Sequence, residues 1–228
     1  TNILNNAHEL EWGNPGRQDK VILQVSTDEI YGSINGGSFS EKASYNPGNP
    51  YAATKASAEM MCKAYWNTYK VPFIITRGTN TFGTRQYPEK LIPIFITRLI
   101  NREKISLFKG GEFNVRDWLH VEDHCNGILR ALMYGNIGEA YNISGDCEFT
   151  NMEVALSLIR IAGYNPNDFM GYINDRPGHD YRYSINSDRL HKLGWERKHG
   201  RFDWEEELKR IATWYAMNVD WWKNKVTW

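Results

Sequence analysis

Net charge is the first thing this sequence lacks: 27 basic residues balance 27 acidic ones over 228 positions. No general field then draws the chain to nucleic acid or to an anionic membrane, and any phosphate binding falls to a few placed arginines. Cysteine is scarce as well. The three present, Cys62, Cys125 and Cys147, form no close pair and no metal-ligand spacing. That argues against a disulfide framework and suits a reducing compartment. No stretch approaches the ~20 apolar residues of a membrane span. Residues 1–12 have neither a basic start nor an unbroken apolar run, so they do not read as a signal peptide. A soluble, cytosolic protein without nucleic-acid or membrane partners is expected. Absent too is a glycine-rich phosphate loop, because Gly36-Gly37 and Gly110-Gly111 lack both the spacing and the strand–helix context.

What is present alternates between two periodicities. Residues 1–12 carry Ile3, Leu4, Ala7 and Leu10 at helical spacing before Gly13, Pro15 and Gly16 break the pattern. VILQV (21–25) and VPFIIT (71–76) are short branched apolar runs of the kind that form buried parallel strands. Residues 51–69 read as a helix, and so do 91–100, with Pro93 tolerated in the first turn. Beyond Asn101, strands at 105–108, 118–121 and 139–144 alternate with helices at 122–134 and 151–162. Thr150 and Glu153 form a capping box, and a last helix runs from about Asp203 to Trp222. The aromatic residues, 14% of the chain with nine tryptophans crowded towards its end, suit core packing. This order predicts an α/β fold with a doubly wound, mostly parallel sheet over residues 1–101 and a smaller α/β lobe mainly over 102–228, some segments of which return to the first domain. Ligands of such sheets sit beyond the carboxyl ends of the strands.

Chemistry is therefore sought just after each strand. Ser26-Thr27-Asp28-Glu29 follows the first, and two adjacent carboxyls in different surroundings can serve as acid and base. A bare Asp-Glu pair is more often a solvated turn. Tyr51-Ala52-Ala53-Thr54-Lys55 puts a phenol and an ammonium on one helical face. A tyrosine base needs its pKa brought from about 10 to near 7, about 4 kcal/mol, and a fixed cation is the direct means. The spacing alone is a weak signal; after a strand ending in Ser-Thr it is far more specific. His120 and His124, four apart, suggest a metal, but no third ligand of clear spacing accompanies them, and they are read as structural.

The hydroxyl, the Tyr-x-x-x-Lys pair and a following strand ending in Arg77-Gly78-Thr79-Asn80-Thr81-Phe82-Gly83 resemble the extended short-chain dehydrogenase/reductases. Within them, Thr27-Asp28-Glu29 followed by Ile30-Tyr31-Gly32 resembles the dTDP-glucose 4,6-dehydratases, as do Tyr87 to Pro93, Arg116 to His124, Tyr141-Asn142-Ile143 and Asp175 to Asp180. The resemblance implies a Rossmann-like fold and NAD as cofactor, held by Tyr51, Lys55 and Thr81. Residues 1–12 look like the helix just before the catalytic strand, so the first βαβ half with its GxxGxxG loop is absent.

The resemblance also implies roles. Tyr51, kept anionic by Lys55 and assisted by Thr27, takes the proton of the sugar 4-hydroxyl as hydride passes to NAD. Glu29 removes the proton at carbon 5, Asp28 protonates the departing 6-hydroxyl, and the hydride returns to carbon 6. Arg116 and Arg176 clamp the substrate diphosphate, while Thr27, Asn80, Lys90, Leu91, Asn151 and His179 are further substrate contacts. Ser106-Leu107-Phe108 departs from the family's usual residues beside the base. In the family the helix at 51–69 joins a bundle at a homodimer interface, for which Met60, Met61, Ala64, Tyr65 and Tyr69 are candidates. The leading expectation is conversion of dTDP-glucose to its 4-keto-6-deoxy derivative. Alternatives are a UDP-glucose 4,6-dehydratase, a UDP-sugar epimerase, which the Asp28-Glu29 pair disfavours, and a non-catalytic nucleotide-sugar-binding fragment.

Overall fold

The structure, a computed structural model, describes residues 2–14, 20–174 and 180–226. In chain order they form α1 (Asn2–Glu9), β1 (Ile22–Thr27), α2 (Pro50–Tyr69), β2 (Phe73–Gly78), β3 (Asn80–Phe82), α3 (Leu91–Ile100), β4 (Ile105–Phe108) and β5 (Val115–His120). There follow α4 (Val121–Tyr134), β6 (Ala140–Ile143), β7 (Glu148–Thr150), α5 (Asn151–Ile161), α6 (Pro166–Phe169), β8 (Met170–Ile173), α7 (Asp188–His191), α8 (Trp204–Met217) and α9 (Val219–Trp222). The chain divides into two units, one of Thr1–Thr79, Glu122–Ser144 and Tyr183–Arg197, the other of Asn80–Val121, Gly145–Arg182 and Lys198–Trp228.

In the first unit the branched apolar runs pair as foreseen, in a parallel sheet of order β1-β2-β6. The register sets Thr27 beside Gly78 and Gly78 beside Ile143, so the carboxyl ends of all three strands finish together. β2 is buried throughout, which is why it reads as a continuous apolar run rather than an alternating one. Leu4 and Ala7 of α1 and Cys62 of α2 close over Phe73 and Ile75. A separate small cluster joins Ile30, Tyr31, Ala56 and Ile185. Gly78 is required by its neighbour: a Cβ there would lie 2.6 Å from the His124 ring.

The second unit has a mixed sheet of order β3-β5-β7 and a parallel pair β4-β8. Its core is one continuous cluster in which α3, α5 and α8 bring Phe95, Leu158, Leu208 and Tyr215 against Trp118 and Trp204. Thr150 caps α5 with the complete capping box foreseen. The single last helix expected over 203–222 is broken. Asn218 leaves helical geometry at φ −122°, ψ 43°, its side chain donates to the Trp214 carbonyl at 2.8 Å, and Trp222 folds back to donate its indole N–H to the Tyr215 carbonyl. Strands β3, β7 and β8, of three or four residues each, have no counterpart in the sequence reading.

Candidate active site

β1 continues past its apolar run to Thr27, and the chain then enters a single 3-10 turn over Asp28–Tyr31. Thr27 caps that turn, its hydroxyl accepting from the Glu29 amide at 3.4 Å and donating to Asp28 Oδ1 at 3.1 Å. Gly32 ends it at φ +78°, where a side chain would also meet the Asn46 carbonyl at 2.4 Å. The pair is not a solvated turn: Asp28 is 3% exposed, while Glu29 is half-buried and accepts from the Asn49 side-chain amide at 3.1 Å. The two carboxyls thus sit in different surroundings, the condition for dividing acid and base roles.

Asn49 also begins the next element. Its Oδ1 accepts the Ala52 amide at 2.9 Å, and Pro50 follows at the first helical position. Tyr51 then emerges 54% exposed. Its pKa lies above the ordinary tyrosine value, raised first by burial and then by the charges of Glu29 and Asp28. Asn49, bonded to both Glu29 and the first turn of α2, brings the phenol and the carboxyl couple into one locality of the first unit. The Lys55 ammonium donates to the Val25 carbonyl at 2.8 Å, so it anchors α2 to β1, and among the described residues it makes no hydrogen bond to Tyr51.

In the second unit a cleft of about 560 Å³ is lined by Asn80, Lys90, Leu91, Arg116 and Asn151, a size ordinary for small-molecule sites. Arg98 lines it too and was missed by the sequence reading. The signal was available, since Leu91, Ile94, Phe95 and Arg98 follow i, i+3, i+4, i+7 along α3. Ser106, Leu107 and Phe108 form one wall. Arg116 is held by carbonyls, donating to Val115 at 2.7 Å and Asp180 at 3.0 Å. Its neighbour Asp117 is buried and accepts the Gly145 and Cys147 amides. Asn151 donates to the Gly111 carbonyl at 2.8 Å. Thr81 lies in β3. Arg176 and His179 fall outside the described residues.

Among the described residues one group offers metal-ligand atoms close together: His120, His199 and Glu207, within 4.8 Å of one another. His120 thus lies beside a histidine far along the chain. Arg210 donates to His120 Nε2 at 3.0 Å and pairs with Glu207 at 2.7 Å. A guanidinium only donates, so this His120 nitrogen is an acceptor and its 3.5 Å approach to Glu207 is not an ion pair. Arg210 already supplies the positive charge at this place.

A parallel sheet with hydroxyl, carboxyl pair and Tyr-x-x-x-Lys helix at the carboxyl ends of its strands defines an α/β protein of the extended short-chain dehydrogenase/reductase class. The chain belongs to the GDP-mannose 4,6 dehydratase family, whose model matches residues 1–204. It is 41% identical over 202 residues to a dTDP-glucose 4,6-dehydratase of Actinoplanes sp., covering 88% of this chain and 62% of the relative. A human dTDP-D-glucose 4,6-dehydratase is 37% identical over 227 residues, covering 97% and 62% respectively. Among solved structures, dTDP-glucose 4,6-dehydratase from Bacillus anthracis in complex with NAD superposes with a TM-score of 0.88 at 40% identity, covering 98% of this chain and 68% of that one. The resemblance drawn from the motifs is thus borne out. The chain spans about 62% of the length of the curated relatives it matches.

Proposed function

We propose that this chain carries the acid–base and substrate-binding parts of a nucleoside-diphosphate-glucose 4,6-dehydratase acting on dTDP-glucose, a redox-neutral lyase. The observation that carries the reading is the carboxyl couple at the end of β1, one member buried and one half-buried, tied by the Asn49–Glu29 hydrogen bond to the start of the helix that carries Tyr51. An epimerase needs the phenol but has no use for two further carboxyls. A dehydratase needs all three, because it must move protons at the 4-oxygen, at carbon 5 and at the 6-oxygen.

In this reading Tyr51, with Thr27 beside it, accepts the proton of the sugar 4-hydroxyl. Glu29 accepts the proton from carbon 5 and returns it there once carbon 6 is reduced, and Asp28 delivers one to the 6-oxygen, which leaves as water. NAD, when bound, supplies the acceptance and return of hydride that make carbon 5 acidic and leave the sum redox-neutral. Residues of this chain fit that group. Tyr51 and Lys55 offer a hydroxyl and an ammonium from one helical face, and Ser26 Oγ at the end of β1 is buried with no hydrogen-bond partner among the described residues. Tyr51, Lys55 and Thr81 are assigned to it. Burial and two nearby carboxyls hold the Tyr51 proton on, so positive charge is what the site must gain before that phenol acts as a base.

The first unit is read as the catalytic part of the cofactor domain and the second as the nucleotide-sugar lobe. Arg116, with Arg176, binds the diphosphate; Asn80, Lys90, Leu91, Asn151 and His179 contact the rest, with Thr27 at the sugar. A homodimer through α2 is supported by Met60 and Tyr69, which are 59% and 45% exposed. Met61 and Tyr65 pack instead against the core of their own unit. No helix among the described residues is long and apolar enough to cross a membrane, and a cytoplasmic location is proposed. Incubation with dTDP-glucose and NAD should yield a product lighter by one water with a 4-keto-6-deoxy signature by NMR. Recovery of a 4-epimer would overturn the reading.

A further inference from the structure

The dehydratase reading requires Asp28, Glu29 and Tyr51 at fixed separations, yet they belong to two elements joined by a long turn-rich segment. Two polar ties bridge that gap, and both are rooted on α2. The first is Asn49, whose single side chain caps α2 through Oδ1 at 2.9 Å and holds Glu29 through Nδ2 at 3.1 Å. The second starts at the other end of the turn. Tyr31 Oη accepts from Arg77 Nη1 and donates to Asn142 at 2.9 Å. Arg77 reaches Glu59 through Nε at 3.1 Å and Nη2 at 2.6 Å, a fork-to-carboxylate pairing. Tyr45 completes the group, accepting from Arg77 at 3.0 Å and donating to Glu59 at 2.6 Å. Both side chains of the ion pair are 0% exposed. Glu59 lies four residues beyond Lys55 and eight beyond Tyr51, on the same helical face.

Stability is a poor explanation for such an arrangement, because a buried ion pair is often no better than apolar residues of the same volume. What it provides is direction: a planar fork and an amide each accept only a narrow range of partner angles. We propose that Asn49 and the Arg77–Glu59 pair are positioning residues that lock the Asp28–Tyr31 turn onto α2, so that the carboxyl couple and Tyr51 are held as one body. The inference rests on the dehydratase reading for its catalytic consequence and on the geometry alone for its mechanical one.

The two parts are tested separately. Serine caps a helix about as well as asparagine but is too short to cap and also reach Glu29. Asn49→Ser is expected to melt like the wild type, with kcat lowered at least about fivefold and KM changed by less than about twofold, because misplacement of ~1 Å is costly to the chemical step. A kcat at the wild-type level overturns the role of Asn49. Glu59→Met/Arg77→Met exchanges the pair for apolar bulk that keeps the fold. In it kcat should fall at least about tenfold with KM little changed. By mass spectrometry, amide exchange over residues 28–32 should quicken at least about tenfold while β2 stays protected. Unchanged exchange overturns the tie whatever kcat does. If the double variant does not fold, Tyr31→Phe decides by the same two readouts. A wild type that forms no 4-keto-6-deoxy sugar sinks the dehydratase reading alone, since the exchange measurement still judges the tie.

Discussion

The two units bury their interiors differently. In the second, Phe82, Trp118, Phe149 and Trp204 form a ladder of rings, with Phe82–Trp204 at 5.1 Å and Phe149–Trp204 at 4.5 Å, inside one continuous apolar cluster. Its buried carboxyl, Asp117, is satisfied by two backbone amides. Among the described residues the first unit has smaller apolar clusters, and a wholly buried arginine and glutamate lie beside them with two tyrosines in attendance. Apolar contact fixes volume but tolerates rotation; charge-assisted hydrogen bonds fix angles. The second unit therefore suits a cleft that encloses a ligand, and the first suits chemistry that depends on where single atoms stand.

The sharpest way to break that contrast is to delete half of a pair. Arg77→Met leaves Glu59 buried without its cation and should cost about 3–5 kcal/mol, whereas Glu59→Met/Arg77→Met should recover most of it. Leu208→Ala in the other unit removes only apolar bulk and should cost about 2–5 kcal/mol, with no second substitution that restores it by removing a charge. Denaturant unfolding of the four proteins checks both statements. If Arg77→Met costs no more than its double variant, the pair is not the directional element described above.

A second measurement sharpens the contrast through pH. Burial pushes the Tyr31 hydroxyl up to about 12, against the lowering influence of Arg77. A tyrosine in the unfolded chain titrates near 10, so between the two values the unfolded state has released a proton that the folded state keeps. Stability from this group is complete below pH ~10 and is lost as pH rises towards ~12, by about 2–3 kcal/mol in all. Tyr31→Phe should flatten that part of the profile. A slope unchanged in Tyr31→Phe would mean that another group carries it.

How much of this was legible beforehand follows from the same contrast. The branched runs before Thr27 and Gly78, the Tyr51–Lys55 helix and the Thr150–Glu153 box are local patterns, and each stands where its residues put it. β3 and β7 were missed because three residues are too few to carry a period of two, and β8 because Gly171 interrupts its four. The Arg77–Glu59 pair was invisible for another reason. Its partners come from a strand and a helix, and Tyr31 meets Asn142 across 111 residues, so no window of sequence contains the arrangement. Helical spacing gave the face of Lys55 but not its bond to the carbonyl of Val25, which had no signature. Asn49 was overlooked although Asn-Pro before a helix is a start signal in its own right. Nothing in the local sequence hinted at its second bond to Glu29.

The smallest expected effect is the most local. Thr150 accepts the Glu153 amide at 3.1 Å, and Glu153 returns a bond to the Thr150 amide at 2.7 Å. Thr150→Ala removes one half of this reciprocal pair at an exposed helix start and should cost about 1 kcal/mol by denaturant unfolding. α5 packs through Val154, Ala155 and Leu158 into the aromatic cluster whether or not its first turn is capped. The cleft beside Asn151 should therefore stay formed, and nucleotide affinity should change by less than about threefold, or 0.6 kcal/mol. A large loss of affinity in Thr150→Ala would mean that placement in the second unit also depends on directional bonds, and the division drawn between the units would fail at that point.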